Sequence, residues 1–547
     1  MTRRQFLTYA GMTLVGSSLR TIRNSNPLIF SPLDRVVPVP GKQPNIVLII
    51  TDQERYPRHW PADWAVNHLP AHQRLLANSL SFRRFFCNAA MCSPSRATLL
   101  TGLHPMQHGV TRTLTVGGSE SPKETPLAHS MQTLGHMLAS AGYDVTLKGK
   151  FHITKHEDGG EPTSDDAASL GFQGWEPTTI ANDAAVENFA GGCADWDRKV
   201  TDQAVNYLSG QQSPSKPFML IVGLGNPHDV LAFPRSWDAV DSTTGCDNYT
   251  GFDFDQGISL PPTLDENLDT KPTCQAQSLN VYAVGLGAVT TTQLKRNYVN
   301  FYAGLMKQSD ALLGELLDAI PAAIRDNTIV IYTSDHGEMG LSHGGLRQKM
   351  FNMYEETVNI PLIIHNAKLF PQPKVTDAYG SLIDLLPTLA SIVEVPHSER
   401  WMTYGHDLTP ILTNSASSVQ NEILFTFDDD QIGQADGIPQ VGGQPMVTYP
   451  YYIRGIIAKD SDGEWKYARY FDPTGIKADQ LEMYHLLDGS GVAVDPNETD
   501  NLANPASANY NNPTYAAKRS NLAQRLANLE AERLQPLSNV YLPLLAS

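Results

Sequence analysis

Two stretches, Asn45–Ile50 (N-I-V-L-I-I) and Asn327–Thr333 (N-T-I-V-I-Y-T), are almost unbroken runs of apolar and β-branched residues, and each runs into an acid. The first ends in Thr51-Asp52-Gln53 and the second in Ser334-Asp335-His336-Gly337-Glu338. A strand with one wet face alternates apolar and polar residues. A strand apolar throughout is covered on both faces, as in a parallel sheet between helices. Phe218–Val222 is a third such run, ending near Asn226-Pro227-His228-Asp229. In open α/β sheets functional groups gather at the carboxyl ends of strands, where Asp52, Gln53, Asp335 and His336 fall. A hard divalent cation takes several oxygen ligands, and adjacent strand ends can bring Asp52, Gln53 and Asp335 together.

The fold class predicted is α/β, a large mixed, mostly parallel sheet between helices. Apolar residues recur at helical spacing over 294–318, predicting a long helix packed on the sheet. Ile360–His365 reads as a further strand and Ser381–Val393 as a helix. From about residue 420 the pattern changes. Glu422–Phe427 reads as a strand, and Tyr452–Ala458 with Glu464–Tyr470 flank Asp460-Ser461-Asp462-Gly463 as an antiparallel hairpin. A last helix is predicted over 514–534. The organisation expected is residues 1–43 as signal and linker, 44–420 as the catalytic domain and 421–547 as a smaller α+β lobe with antiparallel strands.

At 547 residues, 41% hydrophobic and 18% charged, the chain can bury a large core. Its formal net charge of -17 argues against nucleic acid or an anionic membrane as partner, since bulk repulsion opposes the encounter. It does not exclude a small anion, which feels the local pocket. No run of 18 apolar residues is present, so no transmembrane segment is expected. Thr2-Arg3-Arg4-Gln5-Phe6-Leu7 followed by a short apolar stretch predicts a twin-arginine export signal, hence a periplasmic or secreted protein. Five cysteines in such a length are no disulfide framework, and the pairing of Cys87, Cys193, Cys246 and Cys274 stays open, as does the oligomeric state.

The fifth cysteine opens the most constrained string in the chain, Cys92-Ser93-Pro94-Ser95-Arg96 through Thr101-Gly102. It resembles the C-x-P-S-R-x-x-x-x-T-G signature of the sulfatases of the alkaline phosphatase superfamily at every specified position. Lys148-Gly149-Lys150-Phe151-His152 is similar to that family's G-K-W-H, Asn226-Pro227-His228 to its P-H, and His343 through Lys349 to its H-G-x-x-x-K. Met350 through Pro361, and Asp495-Pro496-Asn497-Glu498 with Asn501-Leu502, continue the likeness. Asp52-Gln53 and Asp335-His336 match the variant found in choline sulfatases and phosphonate monoester hydrolases.

The resemblance implies an alkaline-phosphatase-like fold and hydrolysis of a sulfate ester (of an aryl alcohol, a carbohydrate or a small alcohol). It implies oxidation of Cys92 to formylglycine by a formylglycine-generating enzyme, before folding and export. Asp52, Gln53, Asp335, His336 and the modified residue 92 are then expected around the metal. Oxygen ligands favour Ca²⁺, while the histidine admits Mn²⁺ or another divalent ion. Arg96, Lys150, His152, His228 and Lys349 are the expected catalytic cations and proton carriers. Preorganised positive charge stabilises the ester where charge develops. Lys150 and His152 are expected on one side of an extended segment. His228 is preferred to Lys349 for protonating the leaving oxygen, and His152 is expected as the base that regenerates the aldehyde. Trp175, Trp196 and Trp237 are expected to line an outer pocket or to fill a core. Two rival readings are a phosphonate monoester or phosphodiester hydrolase with the same site, and an inert binding protein with unmodified Cys92.

Overall fold

Seven strands form the central sheet: β1 (Asn45–Asp52), β2 (Ser79–Phe86), β3 (Asp144–Gly149), β4 (Phe218–Pro227), β5 (Thr328–Ser334), β6 (Leu362–His365) and β7 (Lys374–Ser381). The computed structural model describes residues 36–241, 245–401, 404–434 and 436–535. The order is β3-β4-β1-β5-β6-β2-β7, and only β6 runs antiparallel to its neighbours. In register, Thr51 of β1 lies beside Ser334 of β5, and Asp52 beside Pro227 of β4. Three carboxyl ends therefore open at one place in the sheet, which positions the site.

The apolar runs are buried on both faces. Val47, Ile49, Leu220, Val222 and Tyr332 pack with Val200, Ala204 and Leu208 of the helix Trp196–Ser209 and Leu313 and Leu316 of the helix Thr292–Ala319. Ile46, Leu48, Ile50, Leu147, Ile221 and Ile331 face the opposite core, which takes in Leu385, Leu386 and Leu389 of the helix Leu385–Ile392. Each such fully buried aliphatic side chain contributes roughly 1.5–3 kcal/mol, which holds the sheet between its helices.

The long helix predicted over 294–318 runs Thr292–Ala319, its start capped by the Thr291 hydroxyl on the Leu294 amide. The helix expected from Ser381 begins later. Ser381 ends β7, and its main-chain N–H and hydroxyl both donate to the Asp384 carboxylate. That exchange holds Leu382–Asp384 in a 3-10 turn before the α-helix starts at Leu385.

Beyond residue 420, β8 (Glu422–Phe427), a short β9 (Gln440–Val441) and β10 (Gln444–Pro445) ladder, β11 (Tyr452–Asp460), β12 (Gly463–Phe471) and β13 (Gln480–Asp488) follow. The four longer strands form an antiparallel sheet ordered β13-β12-β11-β8. The predicted hairpin closes on the pair Asp460 and Gly463. Leu522, Leu526 and Leu529 of the helix Pro513–Arg533 cover Leu424, Ile456, Trp465 and Met483 of this sheet. The Thr426 amide donates to Asn88 O at 2.9 Å, so β8 supports the loop that leads into Cys92.

Val36 is buried in the central core, so the segment read as linker is partly packed. The twin-arginine stretch lies outside the described residues. Cys193 and Cys246 form a disulfide, the pairing that spacing left open, while Cys87, Cys92 and Cys274 are free and buried. No helix of the described residues is long and apolar enough to cross a membrane.

Candidate active site

Cys92 is the first residue of the helix Cys92–Thr101, and every residue of that helix is buried. The fixed letters of the string have separate tasks. Ser93 Oγ accepts the Leu114 amide at 3.0 Å, and Ser95 Oγ donates to Asp335 O at 2.5 Å. Gly102 ends the helix in the left-handed region (φ 68°), its N–H returning to Thr98 O, a cap that glycine adopts without Cβ strain. The helix start is thus tied to the end of β5 and to the segment at Leu114.

There Asp52, Cys92, Asp335 and His336 offer ligand atoms that all lie within 4.8 Å of one another, and all four residues are buried. Cys92 Sγ is 3.2 Å from His336 Nε2 and 3.6 Å from Asp52 Oδ1. His336 Nε2 is 3.6 Å from Asp52 Oδ1 and from Asp335 Oδ1, while its Nδ1 meets Gly337 O at 3.2 Å. The other carboxylate oxygens face outward to cations. Arg96 Nε donates to Asp335 Oδ2 at 2.8 Å, and Lys150 Nζ sits 2.7 Å from Asp52 Oδ2.

This donor set fits a divalent cation: two carboxylates and an imidazole converge, and the histidine's second nitrogen is held by a carbonyl. Burial, and then the charge of Asp52, push the Asp335 carboxyl up, a strain that a cation relieves. Burial and Cys92 raise Asp52 as well, but Lys150, His228 and His336 outweigh them and hold it low. Burial also opposes ionisation of Cys92, yet Lys150, Lys349 and His336 hold its thiol well below the usual range.

Residues 44–395 match the profile of the family described as Sulfatase. The chain belongs to the sulfatase family. Over 469 residues it is 27% identical to arylsulfatase K of Canis lupus familiaris, covering 84% of this chain and 79% of the relative. The choline-sulfatase of Rhizobium meliloti is 24% identical, covering 90% and 92%. In fold it is similar to a 2-O GAG sulfatase (TM-score 0.66, 21% identity, 90% and 93% covered). It is also similar to the phosphonate monoester hydrolase of Silicibacter pomeroyi (TM-score 0.63, 20% identity, 90% and 96% covered).

In this sulfatase the remaining motif residues surround the cluster, and one expectation, the strand alternation of Lys150 and His152, is corrected. Gln53 donates its main-chain N–H to Asp335 Oδ1, but its amide oxygen accepts from Lys349 Nζ at 2.7 Å and its Nε2 donates to Glu338 Oε2 at 2.5 Å. It therefore bridges the cluster to Lys349. Lys150 and His152 owe their positions to no strand alternation, because β3 ends at Gly149 (φ 84°) and His152 itself has φ 55°. Lys150 turns inward to Asp52, whereas His152 faces an outer cavity and meets Leu114 O through Nε2 at 2.8 Å. Its Nδ1 is buried without a hydrogen-bond partner. Burial pushes His228 down to about 4, although Asp52 opposes the shift.

Sequence reading missed Glu338. Its carboxylate accepts from Tyr298 Oη, the amides of Gly340 and Gln348, and Gln53 Nε2, fixing the loop that delivers Lys349. Its only signal was its place three residues after Asp335. A cavity of about 100 Å³ above Cys92 is lined by His228, Lys349, Gln348 and Tyr282. Of the three tryptophans, Trp175 lines the outer cavity, whereas Trp237 packs on Phe254 and Phe301 and Trp196 covers the core.

Proposed function

We propose that this sulfatase hydrolyses the sulfate ester of a carbohydrate, aryl or small alcohol by covalent catalysis at residue 92, after oxidation of Cys92 to formylglycine. One observation carries the reading: Cys92 lies against the Asp52, Asp335 and His336 donors and under the charges of Lys150 and Lys349. When bound, the cation would activate one hydroxyl of the hydrated aldehyde for attack on sulfur, with the alcohol oxygen as the leaving group. Asp52, Asp335 and His336 would hold the cation, with Gln53 beside them. The oxygens favour Ca²⁺, and His336 also suits Mn²⁺.

The chain's own residues do the rest. Arg96 and Lys150 fix the two carboxylates, and Lys349 with His228 binds the sulfuryl oxygens. Lys349 passes a proton to the leaving oxygen, the role first assigned to His228. His152 Nδ1, a bare acceptor at the site, takes the proton that lets the aldehyde re-form. Maturation is assigned to a formylglycine-generating enzyme acting before twin-arginine export, and the Cys193–Cys246 disulfide suits an oxidising compartment.

A second reading, phosphonate monoester hydrolysis, is favoured by Gln53 and His336 at the cluster. The deciding experiment compares turnover of 4-nitrophenyl sulfate with that of a phenylphosphonate monoester, alongside the mass of the residue 92 peptide. Faster sulfate turnover with an aldehyde at residue 92 is expected. An intact thiol in active protein overturns the mechanism, and faster phosphonate turnover reverses the ranking.

A further inference from the structure

Beside the small cavity over Cys92 lies a second, of about 350 Å³, and the two share a wall that includes Asn182, Asp183, Gly285, Leu286, Gly433 and Gln434. This space adjoins the cavity over residue 92 and is open to the alcohol half of an ester bound there. Its charged lining is mostly acidic. Glu161, Asp183 and Asp436 contribute carboxylates, all three residues are exposed, and among the described residues none of the three makes a salt bridge. Lys155 also lines the cavity, but its ammonium is already engaged by Glu124 Oε2 at 2.7 Å, Ser121 Oγ at 2.9 Å and Ser121 O at 2.8 Å. His152, the remaining basic lining residue, is nine-tenths buried, and its Nδ1 has no hydrogen-bond partner.

Asp183 is held in place, its Oδ1 accepting from the Ala185 amide and Asn188 Nδ2, both at 2.8 Å. Asp436 reaches the cavity from the C-terminal lobe, its Oδ1 accepting the Ser119 amide at 3.3 Å. Trp175, Thr178 and Asn182 add an aromatic edge and neutral hydrogen-bonding groups. Such a wall attracts ammonium groups, accommodates hydroxyls and repels carboxylates, and like charges brought together suppress the wrong partner.

Resting on the sulfatase reading, we infer that this vestibule, through Glu161, Asp183 and Asp436, selects sulfate esters whose alcohol half is cationic or uncharged and rejects those of acidic sugars. The sulfate is then the only anion the substrate carries, bound by the cations at Cys92.

The test compares kcat/KM of the full-length matured enzyme for three esters: 2-aminoethyl sulfate, glucose 6-sulfate and a 2-sulfated glucuronate, at low and at 0.5 M salt. The ammonium or neutral ester is expected to exceed the uronate by about tenfold at low salt, with the gap narrowing at high salt. In E161Q/D183N the ratio of uronate to ammonium turnover is expected to rise severalfold. Equal or preferred uronate turnover by the wild-type enzyme, or an unchanged ratio in the variant, overturns the inference. Failure on all three sulfates with turnover of a phosphonate ester refutes the sulfatase reading instead. The same alcohols presented as phosphonate monoesters then read the vestibule by the same ratio.

Discussion

Arg96 Nε lies 2.8 Å from Asp335 Oδ2, joining the first turn of the Cys92–Thr101 helix to the end of β5 across 239 residues of sequence. The same guanidinium reaches Asp52 Oδ2 at 3.5 Å and donates to Lys150 O at 3.0 Å. Removing one partner of a buried pair leaves the other charge uncompensated, which costs about 3–5 kcal/mol. R96M should therefore lower the melting temperature and the metal content together, measured by calorimetry and elemental analysis. R96K keeps the charge but not the planar fork, and should recover part of the stability with little of the metal binding. Unchanged metal content in R96M would show that Arg96 does not position the carboxylates.

The nucleophile has a sharper test. C92A should lose sulfate hydrolysis by roughly 10⁴-fold or more, as removal of a nucleophile does, with the fold preserved. C92S retains one hydroxyl, enough to form an ester but not to release sulfate from an aldehyde hydrate. Its intact mass after exposure to substrate should show a trapped sulfated protein. Sustained turnover by C92S would sink the formylglycine mechanism.

The disulfide between Cys193 and Cys246 closes 53 residues that include the end of β4 and His228. Loop closure of that length stabilises by about 4 kcal/mol at most. C193S/C246S should melt lower by several degrees and become insensitive to reductant, while the wild-type chain loses a similar amount on reduction. Because the Cys193 amide also donates to Asn248 Oδ1 at 2.9 Å, part of the loop's anchoring should survive. Calorimetry with and without dithiothreitol separates the two contributions.

What sequence made legible was what local pattern controls. The runs before Asp52 and Asp335 announced strands covered on both faces, and the β1–β5 register then placed the two acids together. Gly463 and the flanking strands announced the hairpin. Glu338 was not legible, because its partners Tyr298, Gly340, Gln348 and Gln53 span the chain and only folding assembles them. Asp436 entered the vestibule for the same reason, carried there by a lobe with no sequence tie to Cys92. The orientation of His152 was misread because a left-handed backbone breaks the alternation that a strand would have imposed. The Cys193–Cys246 pair depended on a loop path that spacing does not encode.

His343 opens one of the active-site motifs but lies outside the cluster. Its Nδ1 is 2.7 Å from Glu266 Oε2, its Nε2 is 3.7 Å from Glu356 Oε2, and its ring stacks on Tyr354 at 3.7 Å. Burial favours the neutral ring, but Glu266 and Glu356 outweigh it and raise His343 to about 8. The folded value lies above the unfolded 6.5, so the stabilisation is complete below about pH 6.5 and is lost as pH rises through 8. The rise from 6.5 to about 8 corresponds to roughly 2 kcal/mol. H343Q should thus be destabilised relative to wild type at pH 6, with the gap narrowing by roughly that amount at pH 9, measured by urea unfolding at both pH values. Since Gln348 and Lys349 follow on the same loop, kcat should fall with stability in H343Q even at saturating substrate. A stability gap that does not change between pH 6 and pH 9 would show that folding does not raise the His343 pKa.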